Sequence, residues 1–210
     1  MNPIIESQLT LRKLIGTMAF ILPVAVLLGG LPGFQESISA YYHTSMRDLF
    51  VGVLLGVGFF LITYKGYDGV DTKITTAAGI AGMIIAIFPC NYEPNESLIV
   101  SMFRLPSNVT GIIHLIAASA FFLLLAYMSF FQFTKSSGEM TPAKKKRNRI
   151  YRGCGIAIVA GILMTLGPSF LHIGRGFGLI LISETIMLFA FGISWLVKGE
   201  AILRDSILLQ

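Results

Sequence analysis

Charged residues are scarce in this chain of 210 residues. Only 13% of them are Asp, Glu, Lys or Arg, whereas about 25% is usual for a soluble domain. Hydrophobic residues make up 54% of the chain, and the mean hydropathy is +0.75. This composition excludes an ordinary soluble globular domain and indicates a membrane protein.

The chain also lacks the short motifs of several common enzyme classes. It has no glycine-rich phosphate loop, no dinucleotide-binding fingerprint, no G-x-S-x-G turn and no H-E-x-x-H zinc motif. Its two cysteines, Cys90 and Cys154, are expected on opposite sides of the membrane, so no disulfide within the chain is predicted. No short local motif therefore identifies a reaction.

Apolar residues are present in six blocks, most of which reach the roughly 17–25 residues that span a bilayer as a helix. We predict an all-α fold, a bundle of six transmembrane helices that forms a single domain over residues 1–210. Glycines one turn apart, such as Gly52 with Gly56 and Gly79 with Gly82, predict close packing of these helices. The predicted helices cover approximately residues 14–31, 49–64, 74–90, 109–133, 150–171 and 177–197.

The distribution of basic residues predicts the orientation of the helices. With six spans, one side of the membrane receives 13 of the 16 Lys and Arg residues, and such residues are enriched in cytoplasmic loops. We therefore predict a multi-pass protein of the cell (inner) membrane with both termini in the cytoplasm. The basic segment 144–152 is expected to contact anionic headgroups, and the net charge of +5 requires no nucleic-acid partner.

Polar chemistry concentrates on the predicted outer side, where "SISAYYHTSMRD" (residues 37–48) leads into the second span. Glu184 lies about seven residues into the sixth span, and an acid inside the membrane indicates a functional site. His114 lies about one turn inside the fourth span. These two residues and Asp48 come from three helices and predict a site for zinc, iron or manganese, with His43 and His172 as additional ligands.

We predict further roles for residues on the same side. The predicted catalytic residues are Asp48, Glu184, Arg47 and Ser39. The predicted substrate-binding residues are Tyr41, Tyr42, Arg175 and Asn91. For several of them a structural role is an open alternative: Asp48 suits the first turn of a helix, and the two tyrosines suit an interfacial aromatic belt.

Segments of this sequence resemble two groups of known proteins. The segments "SISAYYHTSMRDLFVG", "YKGYD", "RNRIYRGCG" and "FGISWLVKGEAIL" resemble a family of small six-helix bacterial membrane proteins, which implies a membrane location. Ser39, His43 and Asp48 are similar to the early serine, histidine and aspartate of the CREST superfamily of intramembrane hydrolases, which includes the alkaline ceramidases. That resemblance implies a zinc-dependent hydrolase, although this chain lacks the superfamily's paired histidines in the final helix.

Three functions fit the sequence. The first is a metal-dependent hydrolase of a lipid or lipid-linked substrate, with a polar pocket open to the non-cytoplasmic side. In that reading the metal would activate water, and Arg47 or Arg175 would hold a headgroup phosphate. The alternatives are a proton-coupled transporter or small-molecule sensor that uses Glu184 and His114, and a non-catalytic lipid-binding membrane subunit.

Overall fold

The computed structural model describes residues 3–66, 68–91, 99, 101–136, 140–170 and 178–203, and these residues are overwhelmingly helical. Within these ranges, six α-helices follow one another. A short 3₁₀ segment, Ser39–His43, precedes the second helix, and a π-helical segment, Met128–Gln132, continues the fourth. The helices are α1 Pro3–Gly29, α2 Arg47–Thr63, α3 Gly69–Ile87, α4 Ser107–Tyr127, α5 Pro142–Phe170 and α6 Leu179–Lys198.

The helix boundaries follow from local sequence signals. Asp68 caps α3 by accepting a hydrogen bond from the Asp71 backbone N–H at 2.9 Å. The same helix ends before Pro89, because a residue that precedes proline avoids the helical conformation. α5 begins with Pro142, which suits a first helical turn. Each predicted block contains one helix, but α1 and α5 begin well before their blocks because their polar first turns also adopt helical structure.

Five of the helices are long and apolar enough to cross a membrane, and α2 is the exception. The 17 residues of α2 extend only about 25 Å at 1.5 Å per residue, somewhat short of a hydrocarbon core of about 30 Å. α2 nevertheless packs against α1 and α3 like the other members of the bundle. The described residues thus form an all-helical fold in which five helices are long and apolar enough to cross a membrane.

Successive helices pack side by side, and α6 returns to α1, so that the six helices close into a ring. The core of this ring is apolar and aromatic: Phe50, Phe121, Phe191 and Trp195 are each at most 2% exposed. Closure of the ring places residues from the beginning and the end of the chain next to each other, which allows α1 and α6 to share sites.

Two pairs of glycines allow close helix contacts. A Cβ atom added at Gly79 would lie 2.5 Å from the Gly58 carbonyl oxygen, so α2 and α3 touch backbone to backbone there. Gly16 and Gly192 make the corresponding contact between α1 and α6, with added Cβ atoms 2.9 and 3.0 Å from the opposite carbonyl oxygen. The predicted packing role of Gly52 is wrong, because nothing lies within 4 Å of a Cβ added there.

The bundle has two chemically different ends. The end that carries the 3₁₀ segment, together with the last turn of α3 and the first turns of α2, α4 and α6, is called the 3₁₀ end below. The opposite end, where α1, α3 and α5 begin and α6 finishes, carries most of the lysines and arginines and is called the basic end.

Candidate functional site

Glu184 binds the first residue of the 3₁₀ segment. Its Oε2 accepts a hydrogen bond from the Ser39 backbone N–H at 3.2 Å, and its Oε1 lies 3.5 Å from Ser39 Oγ, which donates to it. Ser37 Oγ accepts from the Ala40 backbone N–H at 2.9 Å, which caps the same segment from the other side. The carboxyl group of α6 therefore holds the loop between α1 and α2 in place.

Tyr41 and Tyr42 follow Ser39 and are both buried. The Tyr41 ring packs against Gly30, where a Cβ would come within 3.0 Å of the Tyr41 hydroxyl oxygen. That hydroxyl is buried and has no hydrogen-bond partner in the described part of the chain. Tyr41 thus wedges the 3₁₀ segment against the end of α1, while Tyr42 points toward α2.

Two imidazoles bind the carbonyl groups at the end of α3. His43 Nε2 donates to the Cys90 carbonyl oxygen at 3.0 Å, and His114 Nδ1 donates to the Phe88 carbonyl oxygen at 2.8 Å. A carbonyl can only accept, so each of these ring nitrogens carries a hydrogen. These bonds satisfy two carbonyls just beyond the last residue of α3, and they connect the 3₁₀ segment and α4 to the end of that helix.

The environment of His43 disfavours its protonated form. Partial burial lowers the pKa of His43 below its usual value of 6.5, and the positive charge of Arg47 lowers it further. The hydrogen bond to the Cys90 carbonyl acts in the opposite direction, but the effect of burial is larger. His43 is therefore a neutral imidazole near pH 7.

Arg47 lies at the mouth of an open cleft of about 370 Å³ between α2 and α3. Its Nη2 donates to the Tyr42 hydroxyl at 2.8 Å, and its Cζ lies 4.5 Å from the centre of the Tyr42 ring. Asp48 also lines the mouth, and both charged residues are exposed. The walls of the cleft are apolar and consist of Val51, Gly52, Ala86, Ile87 and Met102.

Asn91 has a structural role at this end. Its Oδ1 accepts a hydrogen bond from Ser107 Oγ at 2.9 Å, and its backbone packs where a Cβ of Gly111 would be, at 2.9 Å from the Asn91 nitrogen. Asn91 therefore connects the end of α3 to the first turns of α4, and it is absent from the lining of the cleft.

The predicted site residues make three different sets of contacts at the 3₁₀ end. Ser39 contacts Glu184, the two described histidines contact the end of α3, and Arg47 with Asp48 forms the mouth of the cleft. Across the described ranges, no three His, Cys, Asp or Glu side chains are close enough together to hold a metal ion. His172 and Arg175, which were predicted as a ligand and a substrate-binding residue, lie outside the described residues.

The apolar walls of the cleft were not predicted from the sequence. Gly52 could have indicated the cleft, because a glycine on the outer surface of a helix leaves a gap between neighbouring side chains. The wall residues on α3 gave no signal, since the sequence of an apolar run does not indicate which neighbouring helix it faces.

Comparison of the chain with protein-family models, with curated proteins and with solved structures gives no match.

Proposed function

We propose that this protein binds an amphiphile with an anionic headgroup, such as a phospholipid or a lipid-linked intermediate, in the cleft between α2 and α3. The observation that carries the proposal is the position of Arg47, a cation at the mouth of a cleft with apolar walls. A phosphate would bind the guanidinium while an acyl chain follows the walls along the lipid-facing surface.

Arg47 suits this role because its guanidinium is oriented before any ligand arrives. Tyr42 uses its hydroxyl and its ring to hold one side of the group. A guanidinium has five N–H donors in a planar fork that matches phosphate oxygens, so donors other than the one that binds Tyr42 can face a headgroup. Holding the side chain in advance reduces the entropy lost on binding.

The Glu184–Ser39 contact supports the cleft indirectly. Tyr42 belongs to the same five-residue 3₁₀ segment as Ser39. The hydrogen bonds from that segment to Glu184 therefore fix the backbone that carries Tyr42. Glu184 is thus a positioning residue for Arg47 in this proposal. Through the 3₁₀ segment, Glu184 in α6 thus helps to position a residue of the ligand site between α2 and α3.

The proposed arrangement in the membrane has six spans, with α2 included, and both termini in the cytoplasm of a cell whose inner membrane holds the protein. The clustering of basic residues at one end of the bundle supports it. The cleft then opens at the outer leaflet. A bilayer that thins locally or side chains that reach to the interface would accommodate the short α2.

A proton-coupled transporter or sensor is the second candidate, and the position of Glu184 favours it. The acid lies within α6 and binds the 3₁₀ segment between α1 and α2, so its protonation would alter the contact with Ser39. Flux of a substrate in proteoliposomes that depends on a pH gradient and is lost in Glu184→Gln would support this function.

The metal-dependent hydrolase stays a prediction. The described residues do not form a three-ligand centre. Metal content of protein purified without chelator, compared between wild type and His114→Ala, tests it directly. Close to one equivalent of metal, lost in the variant, would support the hydrolase.

Native mass spectrometry of the detergent-solubilised protein tests lipid binding in the cleft. We expect phosphatidylglycerol to bind wild type, and Arg47→Gln and Gly52→Phe to weaken binding by about tenfold or more, since an ion-assisted bond to phosphate is worth about 1.5–3 kcal/mol. Arg104→Gln and Gly153→Phe are matched controls, because Arg104 is exposed outside the cleft and Gly153 faces open space on α5. Equal weakening in the controls would contradict the proposal.

A further inference from the structure

The mouth of the cleft carries two opposite charges that are adjacent in the sequence. Arg47 and Asp48 begin α2, and both are exposed and line the cleft. Successive residues of a helix point about 100° apart around its axis, so these two side chains do not face each other. The mouth therefore presents a cation and an anion side by side.

Neither charge is matched by an opposite charge in the described part of the chain. The salt bridges there are those of Lys135 with acids at the start of α3, and none involves Arg47 or Asp48. Arg47 is held by the neutral side chain of Tyr42, through its hydroxyl and its ring. The Asp48 carboxylate forms no hydrogen bond with a described residue. Both charges of the mouth are thus available to a ligand.

Asp48 restricts the headgroups that suit this mouth. A phosphate bound to Arg47 would lie close to the Asp48 carboxylate, because the Cα atoms of adjacent residues are about 3.8 Å apart. A headgroup with negative charge alone would therefore be repelled by Asp48 while it is attracted by Arg47. A headgroup with an ammonium next to its phosphate would match both side chains.

We propose that the cleft selects zwitterionic phospholipids with a primary ammonium group, the headgroup chemistry of phosphatidylethanolamine. This inference rests on the proposed function, the binding of an amphiphile in the same cleft. Arg47 binds the phosphate, and the Asp48 carboxylate accepts a hydrogen bond from the ammonium, which has three N–H donors. Asp48 is thus the residue that determines headgroup specificity.

The lining of the mouth favours a primary ammonium over a trimethylammonium group. A trimethylammonium has no N–H to donate, and proteins bind it by surrounding it with aromatic rings. Tyr42 is the aromatic residue among the described residues that line the cleft, and the Arg47 guanidinium lies 4.5 Å from the centre of its ring. The aromatic face is therefore already occupied, whereas the Asp48 carboxylate accepts hydrogen bonds.

A purely structural role for Asp48 leads to a different expectation. An acid in the first turn of a helix stabilises that helix through its dipole. Removal of the charge would then lower the melting temperature without changing which lipid binds. A measurement of lipid selectivity, not of stability, therefore distinguishes the two roles.

Native mass spectrometry of the full chain in detergent tests the selectivity, with phosphatidylethanolamine and phosphatidylcholine of identical acyl chains. Neither lipid has a net charge, so general attraction of anionic headgroups to the basic end of the bundle does not contribute. We expect wild type to bind phosphatidylethanolamine about three- to fivefold more tightly than phosphatidylcholine. The singly and doubly N-methylated lipids should fall between the two.

Variants of Asp48 test the assignment to this residue. Asp48→Asn removes the charge and should reduce the preference to less than about twofold, and Asp48→Glu should retain more of it than Asp48→Asn. Glu36→Gln is a matched control, because Glu36 is an exposed acid at the same end of the bundle and outside the cleft lining. Equal affinity of wild type for the two lipids, or an unchanged preference in Asp48→Asn, would overturn the inference.

Arg47→Gln separates this inference from the proposed function. Both lipids carry a phosphate, so Arg47→Gln should weaken the binding of both if a lipid binds in the cleft. Unchanged binding of both lipids in Arg47→Gln would contradict the proposed function itself. Weakened binding in Arg47→Gln, together with equal affinity of wild type for the two lipids, would contradict only the specificity for a primary ammonium.

Discussion

Replacement of Gly79 by alanine should destabilise the protein, although alanine is the better helix former. A Cβ at Gly79 would lie 2.5 Å from the Gly58 carbonyl oxygen and 2.7 Å from Ile62 Cγ1, whereas ordinary contact begins near 3.4 Å. The obstacle at Gly58 is backbone, so it cannot rotate away. α2 and α3 must therefore separate by close to an ångström at their crossing and lose packing along both helices.

The magnitude follows from a comparison with Gly52→Ala on α2. Both changes gain the helix propensity of alanine, about 1 kcal/mol, but Gly52 faces open space within 4 Å. Overpacking of a tight contact costs about 1–3 kcal/mol, and this cost is the difference between the two variants. At roughly 2–4 °C per kcal/mol for a chain of this size, the melting temperature of Gly79→Ala should lie about 2–12 °C below that of Gly52→Ala.

The assay is thermal unfolding of purified wild type and both variants in one detergent, followed by circular dichroism. We expect Gly52→Ala to melt at or above the wild-type temperature and Gly79→Ala below it. Equal melting temperatures for the two variants would refute the backbone contact between α2 and α3. A lower temperature for Gly52→Ala would refute the assignment of Gly52 to open space.

Three further predictions concern the 3₁₀ end and the topology. Burial lowers the pKa of His43 below 6.5, so protonation opposes folding and stability is lost as the pH falls below about 6.5. The melting temperature of His43→Gln should therefore fall less than that of wild type between about pH 7.5 and 5.5. An equal fall in both proteins would contradict this. Glu184→Ala removes the acceptor of the Ser39 backbone N–H, which should cost about 1–3 kcal/mol. Glu184→Gln keeps an acceptor and should cost less, whereas equal losses would show that the contact contributes nothing. In a variant without natural cysteines, an impermeant maleimide should label Ser45→Cys but not Lys146→Cys on intact cells; the opposite pattern would invert the proposed topology.

Sequence alone predicted the elements of the fold because hydropathy reports directly which segments leave water. Each apolar block contains a helix, and the structure places residues 37–48 next to Glu184 through Ser39. Hydropathy does not report how a helix is rotated about its axis. Lys198 ends α6 directly after an apolar run, and nothing in that run indicated that its ammonium is buried while Lys145 is exposed.

The predicted metal site likewise depended on information that the sequence does not contain, the rotation of each helix about its axis. Asp48, His114 and Glu184 were grouped because all three are expected in the same half of the membrane, which fixes their depth but not their direction. In the structure His114 turns to the end of α3 and Glu184 turns to the 3₁₀ segment. Residues at equal depth in a ring of six helices can lie on opposite sides of it, so depth alone does not establish a shared site.

The most direct test of ligand binding in the cleft is photo-crosslinking with an anionic phospholipid that carries a photoreactive group on its acyl chain. We expect crosslinks on the cleft walls, at Val51, Ile87 and Met102, and their loss in Arg47→Gln but not in Arg104→Gln. Crosslinks spread evenly over the lipid-facing helices, or unchanged in Arg47→Gln, would contradict the proposed cleft.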